Sequence, residues 1–221
     1  MSASPLPAAG LLLDVGGVVI RHAFELREQA EAGLGLAPGA IARGGPFGPA
    51  PDPDWGRVER GELAETAYWT AWTEEIGRGA GRTDLSIQEL WRVVYSGTET
   101  EFLRPEVVAL VDEAAAAGVR TAMLSNDLTA FHGARWVDEV PFFGRAGAFF
   151  DAASLGARKP DPAAYATAVD RLGLPAGAVL FTDDLPDNVR GAEAAGLVAV
   201  LFDIADPAGS TKRLRDLLGL G

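Results

Sequence analysis

Residues 11–20 read Leu-Leu-Leu-Asp-Val-Gly-Gly-Val-Val-Ile, an apolar run ending on Asp14, with Gly16 and Gly17 just beyond. A carboxylate at the end of a buried strand can act as a nucleophile and as a ligand to a hard metal ion. Three later segments carry groups that could work beside it. Residues 124–126 read Leu-Ser-Asn, and residues 158–161 read Arg-Lys-Pro-Asp, around one of two lysines among 19 basic residues. Residues 181–188 read Phe-Thr-Asp-Asp-Leu-Pro-Asp-Asn. The neighbouring carboxylates of Asp183 and Asp184 repel each other unless a cation or a proton compensates. No cysteine is present and the two histidines are His22 and His132. Oxygen donors alone suit a hard cation such as Mg²⁺. Taken singly, each group has a plain structural reading: Asp14 a turn cap, Ser125 a strand-end cap, Lys159 a surface charge, the acidic pair a solvated turn.

These groups need a scaffold that brings them to one edge. Residues 11–13, 119–124, 178–182 and 198–202 are short apolar runs that read as buried parallel strands, with 149–150 a short fifth. Between them lie helical patterns. Residues 105–117 open on Pro105 and stop at Gly118. Residues 161–172 have Asp161 as N-cap and Pro162 just inside. Residues 188–195 stop at Gly196, and 210–218 have Ser210 as candidate cap and Gly219 as stop. The alternation predicts an α/β fold, a Rossmann-like doubly wound parallel sheet whose site lies beyond the carboxyl ends of the strands. Asp14, Ser125 and Asp183 all fall at such ends.

Residues 22–98 lack a convincing strand. Stretches 23–31, 63–76 and 87–94 read as helices, and the proline- and glycine-rich 44–54 as a loop. Four of the five tryptophans lie here, Trp55, Trp69, Trp72 and Trp91, as expected of a small core of their own. The predicted organisation is a core of residues 1–21 and 99–221 with a helical cap, 22–98, inserted after the first strand. Such a cap can exclude water and shape a pocket.

The chain has 221 residues and a formal net charge of -12, which disfavours a nucleic-acid surface. The absence of cysteine excludes disulfides and thiolate chemistry. No apolar run approaches the roughly 20 residues that span a bilayer, and residues 1–5 lack the basic start of a secretory signal. A cytoplasmic protein, monomeric or homodimeric, with a small-molecule partner and no nucleic-acid or membrane partner, is the expectation.

The four segments, in this order and at strand or loop ends, resemble the motifs of the haloacid dehalogenase-like (HAD) hydrolase superfamily, in the subgroup with a helical cap after the first motif. The resemblance spans residues 9–205 and includes the cap stretch Val58-Glu59-Arg60-Gly61-Glu62-Leu63. It implies a Mg²⁺-dependent phosphatase acting on a small phosphorylated metabolite. Asp14 would attack phosphorus and form an aspartyl-phosphate. An ordinary aspartate is ionised near neutral pH, so the attack asks for no large pKa shift. Asp14, Asp183 and the backbone carbonyl of Gly16 would hold the metal, with Asp184 acting through water. Ser125 and Lys159 would hold the phosphoryl oxygens, and Asn126 the phosphate or the leaving part. Asp187 would touch metal-bound water or shape its loop with Asn188.

The chain departs from that pattern at position 16. Related phosphatases carry a second aspartate there, which protonates the leaving oxygen and then activates water. General acid–base help of this kind is worth about 10²–10⁴-fold. With Gly16 in its place, either the substrate has a good leaving group or a cap residue takes over, His22 being the first candidate. Otherwise the chain is a catalytically weak phospho-ligand-binding or regulatory protein. A hydrolytic 2-haloacid dehalogenase needs no acid, because halide leaves unprotonated, but by resemblance it would lack the acidic pair. His132 is expected to pack or face solvent, and Arg158 to be structural or solvent-facing.

Overall fold

The computed structural model describes residues 8–48, 50 and 52–220; residues 1–5, where the signal pattern was sought, lie outside them. Five parallel strands form one sheet in the order β3-β2-β1-β4-β5. They are β1 Gly10–Leu13, β2 Arg120–Ser125, β3 Ala148–Asp151, β4 Val179–Asp183 and β5 Val198–Leu201. Strand side chains alternate between two apolar layers. Leu11, Leu13, Met123 and Leu180 join one buried cluster, while Leu12, Ala122, Leu124 and Phe181 join the other. Helices Pro105–Ala116 and Pro207–Leu218 supply Leu110, Val111 and Leu214 to the first layer. Helices Pro162–Leu172 and Pro186–Ala194 supply Tyr165, Ala168 and Ala192 to the second. Both faces are covered, which is why these strands read as continuous apolar runs.

The strand order reverses direction at β1. The chain runs outward from β1 through β2 to β3 and then returns to the other side of β1 as β4. A crevice opens at such a switch point, beyond the carboxyl ends of the strands. Leu13 stands beside Met123 on one side and Thr182 on the other. Asp14 therefore leaves β1 level with Leu124 and Asp183.

The helical insertion lies between β1 and β2. It contains a short 3-10 turn, Ala23–Leu26, and the helices α1 Arg27–Leu34, α2 Pro53–Glu59, α3 Glu65–Gly79 and α4 Ile87–Val94. The expected helix at 23–31 is thus split. His22 caps the 3-10 turn, and α1 starts afresh at Arg27 and ends on Gly35 at φ 69°. The loop read at 44–54 extends no further than Asp52, which caps α2 by accepting from the Trp55 backbone N–H at 3.2 Å. Pro53 occupies the first helical position, where no N–H is needed. The last helix begins at Pro207 rather than Ser210: Asp206 is its cap, while Ser210 Oγ accepts from Asp203 N–H.

The two chain crossings between insertion and core run side by side. Ile20 bridges Leu103 in antiparallel fashion, Arg21 N–H donates to Phe102 O, and Arg104 N–H donates to Val19 O. Arg104 is buried and ties the crossing together. Its Nε donates to Gly17 O at 2.7 Å, and its Nη2 donates to Glu25 Oε2 at 2.6 Å. Removing one partner of a buried ion pair costs about 3–5 kcal/mol, because the other charge is left unpaired. Arg104→Met is expected to lose that much stability in urea denaturation.

Candidate active site

Asp14, Ser125 and Asp183 emerge at the ends of β1, β2 and β4, and Lys159 enters from the connection between β3 and β4. All four are at least nine-tenths buried. Lys159 Nζ donates to Asp14 Oδ1 and, at 2.6 Å, to Asp183 Oδ2. Asn126 holds that lysine by its backbone. Its Nδ2 donates to Lys159 O at 2.9 Å and its Oδ1 accepts from Lys159 N–H at 2.8 Å. The Asn126 amide thus positions Lys159 while its side chain also lines the cleft. Asn188 does the same for Asp183, donating to both carboxylate oxygens at 3.0 and 3.1 Å. Leu185 N–H adds a third bond to Asp183 at 2.9 Å. Ser125 Oγ accepts from Leu128 N–H at 3.1 Å, which leaves its own hydroxyl hydrogen free to donate.

Carboxylate oxygens of Asp14, Asp183 and Asp184 lie within 4.8 Å of one another. Such a group of hard oxygen donors could hold a divalent cation. The electrostatics agree. Burial pushes the Asp14 carboxyl up to about 7; Lys159 pulls the other way and Asp183 adds repulsion. Burial, with Asp183 and Asp14 close by, drives Asp184 well above the usual carboxylate range. Burial also opposes the Lys159 ammonium, but Asp14 and Asp183 outweigh it and raise the lysine above its ordinary value. One ammonium against three carboxylates leaves negative charge uncompensated. An unassisted Asp14 is thus harder to ionise than the sequence suggests.

Glycines make the turn possible. Gly17 has φ 78°, and a Cβ there would stand 2.6 Å from Asp184 Oδ2. At Gly16 a Cβ would meet nothing within 4 Å, so the missing side chain leaves open space rather than a filled core.

The cleft has a cavity volume of about 70 Å³ and opens to solvent. Its floor includes Asp14, Gly16, Ser125, Asn126, Lys159 and Asp183, with Asp184 at the side. The insertion supplies its roof. Trp55, Trp69 and Trp91 face the cleft while packing against one another and Phe24. These tryptophans both fill the cap core and wall the cleft; Trp72, fully buried, serves the core alone.

His22 is in the cleft wall but is ill suited to donate a proton. Its Nδ1 accepts from Phe24 N–H at 3.5 Å, and its ring stacks on Phe24 at 4.4 Å. Burial, helped by Arg104, lowers its pKa to about 3, so the ring is neutral at neutral pH. His132 packs as expected, stacked on Trp136 at 3.9 Å. Burial lowers it to about 3 as well. Arg158 pairs with Asp127. Asp187 pairs with Arg190 and abuts Gly61 of the insertion, outside the carboxylate group. Sequence reading missed Glu65 and Asp127, both in the cleft wall. Their charged types gave no periodic signal, and neither stands in one of the four segments.

The model of the haloacid dehalogenase-like hydrolase family matches residues 9–196. The chain belongs to that family. Acyl-CoA dehydrogenase family member 10 of Mus musculus is 26% identical over 220 residues, 95% of this chain but 19% of the relative. Phosphatase MT3486 of Mycobacterium tuberculosis is 30% identical over 119 residues, 53% of this chain and 54% of the relative. The chain thus matches less than two thirds of either relative's length. A solved dehalogenase, caught with an intermediate, shares the HAD fold at a TM-score of 0.60 and 17% identity, covering 96% of this chain and 97% of that one. Among the described residues no helix is long and apolar enough to cross a membrane.

Two outcomes test the carboxylate group. Below about 7 the Asp14 carboxyl keeps its proton, which a cation must displace; above it the carboxylate is already free. Cation affinity therefore rises with pH. The gain in melting temperature from millimolar Mg²⁺ is expected to grow between about pH 5.5 and about pH 8. Gly17→Ala, which forces Asp184 aside and a side chain into a left-handed backbone, is expected to remove most of that gain in the same melts and to cost about 1–2 kcal/mol.

Proposed function

We propose that the chain is a Mg²⁺-dependent phosphatase that hydrolyses a small phosphorylated metabolite through an aspartyl-phosphate at Asp14. The observation that carries this reading is the convergence of three carboxylates and one buried lysine at the switch point of the sheet. Asp14, Asp183 and Asp184 would hold the cation through their oxygens, with the Gly16 carbonyl as a further candidate. When bound, Mg²⁺ would supply positive charge that offsets the carboxylates and the phosphoryl oxygens.

The chain's own residues account for the rest. Asp14 must reach phosphorus as a carboxylate, and the Lys159 ammonium beside it favours that form. Lys159 is held at its backbone by Asn126, so its charge sits in a defined place for an anionic group. Ser125 donates its free hydroxyl to a phosphoryl oxygen, aimed by the Leu128 N–H that it accepts. Donors fixed in advance in a partly dry cleft cost little reorganisation as charge shifts. The aromatic roof keeps bulk water off the acyl phosphate. Ser125, Lys159 and Asp14 are the residues proposed to touch the transferred group; His22 is proposed as part of the wall that the leaving group meets.

A second reading has one observation behind it. The open space at Gly16 is compatible with a protein that binds a phosphorylated ligand and turns it over poorly. Halide displacement is less favoured, because it gives the acidic group no task. A panel of phosphorylated metabolites with Mg²⁺ separates these. Phosphate release is expected from the wild type and is expected to fall at least about 10³-fold in Asp14→Asn. Tight binding with no release across the panel would support the binding protein instead.

A further inference from the structure

We infer that Glu65, carried by the cap, is the proton-transfer residue of this site, doing the task that an aspartate at position 16 does in related phosphatases. The inference rests on the phosphatase reading above. Glu65 is the first residue of α3 and lines the same cleft as Asp14, Gly16 and Lys159. Trp69 Nε1–H donates to its Oε1 at 3.0 Å, one helical turn on. That bond fixes the carboxyl while Oε2 accepts no hydrogen bond among the described residues and is not sealed off. A carboxyl with one oxygen anchored and the other free over a cleft is poised to exchange a proton with what enters. The space that no side chain fills at Gly16 lies on the floor of that cleft.

The other ionisable groups of the cleft have different tasks. Asp14, Asp183 and Asp184 form the cation group. Lys159 is held as an ammonium between two of them. Asp127 is bound by Arg158, and the Tyr95 hydroxyl donates to Arg21 O at 2.9 Å. His22 and His132 are buried neutral rings. Burial raises Glu65, with Asp127 and Asp183 adding to the rise and Trp69 and Lys159 opposing it; Asp14 and Asp184 also feel its charge. A raised carboxyl keeps a protonated fraction nearer neutrality, as a general acid requires.

The chemistry balances in two steps. An Asp14 carboxylate oxygen bonds to phosphorus as the ester P–O bond breaks, and the Glu65 proton passes to the leaving oxygen, releasing an alcohol. The Glu65 carboxylate then takes a proton from water as the water oxygen bonds to phosphorus. The P–O bond to Asp14 breaks, returning its carboxylate and releasing phosphate, with Glu65 protonated again.

Glu65→Gln tests this, since the amide oxygen can keep the Trp69 bond. With Mg²⁺ and glycerol phosphate, whose alkoxide leaves poorly, turnover is expected to fall about 10²–10⁴-fold. With p-nitrophenyl phosphate, whose phenolate needs no proton, the first-turnover burst is expected to survive while steady-state turnover slows. Gly16→Asp added to Glu65→Gln is expected to restore at least about tenfold on glycerol phosphate. An active wild type with an unimpaired Glu65→Gln overturns the inference alone. So does an equal first-turnover loss on both esters, which would mark Glu65 as structural. A wild type silent on both esters and across the panel of phosphorylated metabolites overturns the phosphatase reading and this inference with it.

Discussion

The contact on which the site depends is a single buried ammonium between two carboxylates. Lys159 Nζ reaches Asp14 at the end of β1 and Asp183 at the end of β4, the two strands that flank the switch point. Burying one ion costs several kcal/mol, and a partner in place offsets much of it. Here the arithmetic of charge stops short of neutrality. Asp184 brings a third carboxylate, and burial drives both it and Asp14 upward. The fold thus creates a place whose remaining negative charge calls for a cation, and whose lysine and cation together would welcome an anion into a protein of net charge -12.

Around that contact the neighbouring residues act on position rather than on chemistry. Asn126 grips the Lys159 backbone and Asn188 grips the Asp183 carboxylate. A Cβ on Gly191 would press into the backbone carbonyl of Pro160, so the helix Pro186–Ala194 packs directly against the turn that delivers the lysine. A bound geometry held this way costs little to organise when substrate arrives.

The insertion has a different relation to the core. It is joined by two adjacent crossings, braced by Arg104 against Gly17 and Glu25. The same arginine therefore touches the turn after Asp14 and the start of the cap. Its aromatic layer is at once the cap's own core and the roof of the cleft, so the cap cannot be altered for one purpose without touching the other. Glu65 stands in that roof, tied to Trp69. A group that belongs to the cap can serve the floor when the two are packed together, which gives the gap at Gly16 a physical answer.

Much of the architecture was legible in the chain. Buried parallel strands are apolar throughout because both faces are covered, and Asp14, Ser125 and Asp183 sit where those runs end. Proline and glycine marked helix ends at Pro105, Pro162 and Gly219. The failures were local: Asp206 acts as a cap one turn before Ser210, the short helix that Asp52 caps was not read from the sequence, and the 3-10 turn at Ala23–Leu26 interrupts a pattern that reads as one helix. The sequence by itself determined the sheet, the order of its motifs and the acidic, oxygen-rich character of the site. Only the tertiary structure decided that Asn126 serves Lys159, that His22 is a neutral wall residue, and that Glu65 reaches the cleft. Those outcomes depend on partners 33 residues away for Asn126 and on burial shared between cap and core, and neither leaves a mark in local spacing.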